Sequence, residues 1–395
     1  MWVSFDDGDD WQSLQLNLPA SSMRDMVVHG DDLVLATYGR ALWILDNLTP
    51  LRQLVLGAPT AAMQLLQPSP AIRARWDING DTPLPIETPT APNPPEGAIV
   101  DYYLKEIPAG DLTLTISDER GQLVRAFSSV APPAPTLLAN VPSYWFGPAE
   151  VLSKNAGLNR FAWNLRYPPP KILPFGYFGA LLPYVEYTLA DHAIPGRTPR
   201  EQPEGALVVP GQYTIELSAA GRRETTKLVV KPDPRVKGSQ ADLFAQFELA
   251  NQLAGGLAVS YDGYNRLALL RTTLADRLKS LSVSKDARSK DDAAALQAFE
   301  KRLDAVQNGT AGAPGLGVVN REMARLFSMV ESADARPSEP LRSASVGWCD
   351  ALTKAIESWH RLNGTELPVL NAALARHKQP ALETVNIPEA PSCGR

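Results

Sequence analysis

The sequence predicts a multidomain chain in which β structure is followed by α structure. Three observations carry this. The apolar period changes from two to 3.6 near residue 238. Turn residues punctuate the first 55 positions closely enough for a succession of short hairpins. Proline supplies 35 of 395 residues, about 9% against an ordinary ~5%, which favours strands joined by stiff loops over an all-helical chain. At this length two or three domains are expected, and 44% apolar residues are enough for real cores.

Residues 1–56 read as short strands with tight turns. Trp2-Val3-Ser4-Phe5 runs into Asp6-Asp7-Gly8-Asp9-Asp10 and then Trp11; Met23 to Val28, Leu33 to Thr37 and Ala41 to Leu45 follow, with Asp31-Asp32 and Gly39 at the turns. Residues 57–98 read as a semi-rigid linker, because prolines stand at 59, 68, 70, 83, 85, 89, 92, 94 and 95. Residues 99–236 read as an Ig-like β-sandwich. Six strands are expected, at 99–105, 111–117, 122–127, 158–166, 210–219 and 224–231, with long insertions at 128–157 and 168–209. Residues 239–380 read as a helical bundle. Ser239 can cap its first helix, Gly255-Gly256 can kink it, and further helices are expected at 290–307, 318–332, 342–362 and 366–378. Residues 381–395 read as a tail.

Composition removes several function classes. A net charge of −5 offers no basic field to replace phosphate counterions, so nucleic acid is not an expected partner. No run of ~18 apolar residues is present, so no membrane span is expected, and no charged-then-apolar secretory start is visible. Two cysteines exclude a disulfide-dense scaffold and a cysteine zinc site. Cys349 and Cys393 either form one bridge or stay as two free thiols; Cys349 lies in an apolar helical pattern and Cys393 in a tail expected to be exposed. His29, His192, His360 and His377 show no metal or triad spacing, and no nucleophile-elbow, zinc-helix or P-loop motif occurs. No catalytic residue, cofactor or metal site is assigned. Asp6, Asp7, Asp9 and Asp10 could offer oxygens to calcium, but a solvated turn is the simpler reading. The same holds for the calcium-loop-like Asp77 to Thr82, whose sixth position is Thr82 and not glycine.

One motif is specific. Ser4, Asp6, Gly8 and Trp11 match S-x-D-x-G-x-x-W. The spacing lets the Asp6 carboxylate accept from amides of its own turn, Gly8 take positive φ, and Trp11 fold back as an apolar lid. This is the Asp-box, and with Val28 to Asp46 it resembles the closing blade of bacterial sortilin-like, BNR-repeat β-propeller proteins, a family often labelled glycosyl hydrolase. The resemblance implies a terminal propeller blade at 1–56, an Ig-like or FlgD-like β-domain and a helical tail. Gly157 to Arg166 and Pro210 to Thr214 resemble that β-domain. It also implies an extracytoplasmic location, periplasmic or secreted, and upstream blades of the same parent protein as the principal partner. A propeller needs about four to eight blades, so the chain is expected to be a non-catalytic C-terminal scaffold or interaction region. Two alternatives stand beside this expectation. One is a contribution to a glycoside hydrolase acting on polysaccharide or glycan.

The other alternative is a carbohydrate- or protein-binding module. Aromatic residues crowd into 144–187, and Tyr144, Trp145, Phe146, Tyr177 and Phe178 fall in insertions where they could form a platform for a glycan or a cell-surface protein. Packing of the same loops within the molecule is the plainer reading. Arg160 and Trp163 read as core and edge packing on their strand.

Overall fold

Alternation along the chain between residues 61 and 232 builds two sheets around one core. The structure is a computed structural model that describes residues 1–54, 61–75, 87, 95–131, 150–173, 176–177, 180–181, 204–282 and 286–393. In chain order the first elements are β1 (Trp2–Val3), β2 (Gln12–Ser13), β3 (Met23–His29), β4 (Asp32–Thr37), β5 (Leu42–Leu45) and α1 (Thr49–Leu54). They are followed by β6 (Met63–Leu65), β7 (Ala71–Arg73), β8 (Ala98–Leu104), β9 (Thr113–Ser117), β10 (Leu123–Ser128), β11 (Gly157–Trp163), β12 (Gly176–Tyr177), β13 (Ala180–Leu181), β14 (Gly211–Ala219) and β15 (Arg222–Pro232). The chain divides into two compact units, the first holding Met1–Pro168 and Leu207–Lys237.

In the first unit a five-stranded sheet runs β10-β9-β14-β15-β7 and a three-stranded sheet runs β11-β8-β6. All pairings are antiparallel except β15 with β7. Leu114 and Ile116, Tyr213, Ile215 and Leu217, and Leu228 and Val230 point from the larger sheet into the same core as Val100, Tyr102, Phe161 and Trp163 from the smaller one. Each such large side chain, fully buried, stabilises by about 2–3 kcal/mol. Trp163 stands edge-on to Tyr213 at 5.9 Å, and its indole N–H donates to the Arg166 carbonyl at 3.1 Å. Gly97, at φ +82°, precedes β8 where a Cβ would lie 2.0 Å from the Trp163 carbonyl oxygen, so only glycine fits.

The segment read as a linker behaves differently from that reading. Met63–Leu65 pairs with β8 and Ala71–Arg73 pairs with β15, so 57–98 contributes a strand to each sheet. Pro68 and Pro70 stand between these strands, where no ladder hydrogen bond is needed. The N-terminal elements form a separate two-stranded pair, β1-β2, and a three-stranded meander, β3-β4-β5.

The second unit is helical and takes in Gly238–Arg395 with short segments on either side of 184–201. Its helices are α2 (Gln240–Ser282), α3 (Ala287–Asn308), α4 (Leu316–Val330), α5 (Glu339–Arg361) and α6 (Leu367–Arg376); the small hairpin β16 (Gly309–Thr310) and β17 (Ala313–Pro314) joins α3 to α4. Ser239 caps α2 in a reciprocal arrangement: the Asp242 amide donates to Ser239 Oγ at 3.2 Å, and the Ser239 amide donates to Asp242 Oδ2 at 3.1 Å. One buried stripe runs the length of α2 through Leu243, Leu253, Leu257, Leu267 and Leu274. The helix is continuous through Gly255-Gly256. Gly256 supplies room, since a Cβ there would meet Met323 Cε at 2.4 Å. Asn320 is wholly buried and satisfied: its amide donates to Ser260 Oγ at 2.9 Å and its oxygen accepts from the Leu173 amide at 2.8 Å.

Between α5 and α6 the chain does not break but widens into a π turn over Leu362–Glu366. Pro368 follows it and has no N–H to donate into the preceding turn. The tail is also ordered by specific contacts. Leu382 and Ile387 are buried in the helical core, and the Trp359 indole donates to the Val385 carbonyl at 2.9 Å. Cys349 and Cys393 are disulfide-bonded, with Cα atoms 5.6 Å apart. Cys349 is buried as its pattern implies, whereas Cys393, expected to be exposed, is half-buried because the tail lies on the helices. No described helix is long and apolar enough to cross a membrane.

Candidate functional site

The first candidate is the turn between β1 and β2, whose local geometry follows from its sequence spacing. Ser4 Oγ donates to Asp6 Oδ1 at 2.8 Å and accepts from the Gly8 amide at 2.7 Å. Asp6 Oδ1 also accepts from the Asp10 amide at 2.9 Å. The Trp11 indole N–H donates to the Gly8 carbonyl at 3.0 Å, and the ring lies 3.8 Å from where a Gly8 Cβ would be. Gly8 takes φ +102°, as such a turn requires. The Asp10 amide, followed by the Ser4 hydroxyl, holds the Asp6 carboxyl below the usual carboxylate range. Ser4, Asp6, Gly8 and Trp11 are therefore together, joined by hydrogen bonds within their own turn. Trp11 remains 59% exposed and Trp2 64%, so the turn presents aromatic surface outward.

The second candidate is the meander that follows. Cross-strand register places Met26, Val28, Leu33, Leu35, Trp43 and Leu45 on one face, and Val27, Val34 and Ile44 on the other. Both faces are apolar. Only Leu33 and Leu35 are buried. Met26, Val27 and Val28 are 61%, 56% and 53% exposed; successive side chains point to opposite faces, so β3 is uncovered on both. β3 and β5 are also the two edges of the sheet.

The third feature is a polar junction that fixes this meander to the two-sheet core. Arg160 on β11 donates from Nε to Asp101 Oδ1 at 2.8 Å and from Nη1 to the Asp46 carbonyl at 2.8 Å. Asn47 donates its side-chain amide to Asp101 Oδ2 at 3.3 Å and its backbone N–H to Asp32 Oδ1 at 2.9 Å. Ser69 Oγ donates to Asp31 Oδ2 at 3.0 Å, and Arg52 pairs with the same carboxylate. Gln53 and Gln67 exchange two hydrogen bonds of 2.8 Å. Burial raises the Asp101 carboxyl above its ordinary value against the opposing effect of Arg160. Burial, then the negative charge of Asp32, raises Asp46.

Sequence reading assigned Arg160 to packing and did not connect it with Asp101, Asp46 or Asn47. The only local signal is that Arg160 stands between the core-facing Asn159 and Phe161 on β11. The aromatic platform is described only in part. Tyr144, Trp145, Phe146 and Phe178 lie outside the described residues, and Tyr177 is described only as part of the short strand β12. Of the same band, Phe161 and Trp163 are core, Phe161 packing on Phe127 with ring centroids 4.5 Å apart. His377 Nδ1 lies 2.7 Å from Asp292 Oδ1, a pairing across 85 positions that no spacing rule exposes. It joins the residue after α6 to α3. Among the described residues no three His, Cys, Asp or Glu side chains converge as a metal would require. Comparison with protein families, with curated proteins and with solved structures found no match.

Proposed function

We propose that the chain is a non-catalytic scaffold and interaction region of an exported protein, and that the β3-β4-β5 meander is a propeller blade. It packs between neighbouring blade-like sheets supplied by upstream sequence of the same parent. The observation that carries this reading is a small sheet with apolar residues on both faces, whose edge strand β3 is uncovered on both. Sheets with one solvated face alternate apolar and polar residues; near-continuous apolar strands belong between two layers. The Ser4–Trp11 turn beside it supports a blade, because its resemblance to an Asp-box is specific in four positions. The two sheets that share a core support the Ig-like or FlgD-like assignment of 99–236, now with β6 and β7 added. The Cys349–Cys393 disulfide supports an oxidising, extracytoplasmic compartment.

Sedimentation velocity tests the docking role. The chain is expected to self-associate with rising concentration through the uncovered sheet. Val27→Lys and Ile44→Lys, which place charges on the face opposite Leu33 and Leu35, are expected to return it to a monomer. A wild-type chain that stays monomeric at ~100 μM would contradict the proposal, since an exposed apolar face of this kind drives association.

A further inference from the structure

The helical unit carries a groove of about 560 Å³ between α3, the β16–β17 hairpin and α5. That size suits a small molecule. Its floor is apolar and made of short side chains, Ala305, Ala351 and Ala355, which keep it open. Its rim carries Arg302, Lys354 and Arg361. Lys354, Ser358 and Arg361 recur along one face of α5 at helical spacing, so all three present to the same space. One acid answers three cations: Arg302 pairs with Glu366 at 2.5 Å. Lys354 and Arg361 make no ion pair among the described residues, and Arg361 reaches only the Ser358 hydroxyl, at 3.4 Å. The rim is therefore positive in a chain whose net charge is −5.

We propose that this groove binds a small organic anion with a compact apolar body. The anionic group sits between Lys354 and Arg361, and the body lies on the alanine floor. Charge-assisted hydrogen bonds orient the head, and burial of the body adds affinity that an inorganic anion lacks. The assignment is independent of the docking role of the N-terminal sheet, which lies in the other unit.

Calorimetric titration of the full chain with phenyl phosphate tests it, with inorganic phosphate and benzyl alcohol as the head-only and body-only arms. Saturable one-to-one binding of phenyl phosphate is expected, at least about tenfold tighter than either arm. Lys354→Gln and Arg361→Gln are each expected to weaken it about three- to fivefold, as loss of an exposed charge contact would. Gly347 also lines the groove, and a Cβ there meets nothing within 4 Å. Gly347→Leu should therefore fill the space, keep the helical circular-dichroism signal and abolish binding. Absence of saturable phenyl phosphate binding at ~10 mM, or indifference of that binding to either the charge or the filling substitutions, would overturn the proposal.

Discussion

Arg160 donates to two carboxylate oxygens of Asp101 and to the carbonyls of Asp46 and Asn47, so one side chain fixes the exit of the meander to β8 and β11. Arg160→Ala would leave Asp101, only 3% exposed, as a buried charge without its cation. The expected loss is about 2–4 kcal/mol at pH 7 in urea unfolding. Its pH dependence has a definite sign. The folded-state Asp101 carboxyl is raised, so its contribution to stability is fully present below the ordinary value of 3.8 and is lost as pH rises through the raised value. Without Arg160 that rise is larger, so the loss in the variant should shrink as pH falls toward 4, and Asp101→Asn in the same background should recover part of it at pH 7. A pH-independent loss would remove the buried charge from the account. The Ser4–Trp11 turn is legible in sequence because each of its bonds spans at most four positions. The Arg160 junction is not, because Arg160 and Asp101 are 59 positions apart and only the sheet pairing brings them together.

Helices and long strands show their period over enough residues to be read directly, and α2, β14 and β15 are where the sequence suggests. Three-residue strands cannot show a period, which is why β6 and β7 were hidden in a proline-rich stretch. Gly255-Gly256 illustrates a second limit: the same dipeptide can kink a helix or admit a neighbour, and only the packing of α4 against α2 decides. Gly256→Ala is expected to destabilise the helical unit by about 1–3 kcal/mol through overpacking against Met323. Met323→Ala in that background should recover part of the loss, and no change in thermal midpoint for Gly256→Ala would contradict the close approach. The α2 cap adds an acid-sensitive element. The Ser239 hydroxyl, then Arg336, lowers the Asp242 carboxyl to about 2. Its contribution is present above 3.8 and disappears as pH falls through about 2, a loss that Asp242→Asn should remove from an acid titration of helicity.

At the scale of the molecule, two units rest on different devices. The helical unit closes its tail covalently: the disulfide spans 44 positions, and its reduction, or replacement of both cysteines by serine, is expected to cost about 2–4 kcal/mol in that unit. The β unit instead carries a sheet whose edge strand β3 lacks a cover on either apolar face, although Leu33 and Leu35 of β4 are buried. Composition could not show this, because a blade and a self-sufficient hairpin sheet have the same local pattern; the exposure of β3 on both faces is what supports the proposed blade. Amide hydrogen exchange of Met23–Leu45 against Gly211–Val230 tests the central claim most directly. In the monomeric chain the β3 amides should exchange at least about a hundredfold faster than those of β14. Equal protection of the two segments in the isolated monomer would contradict the blade.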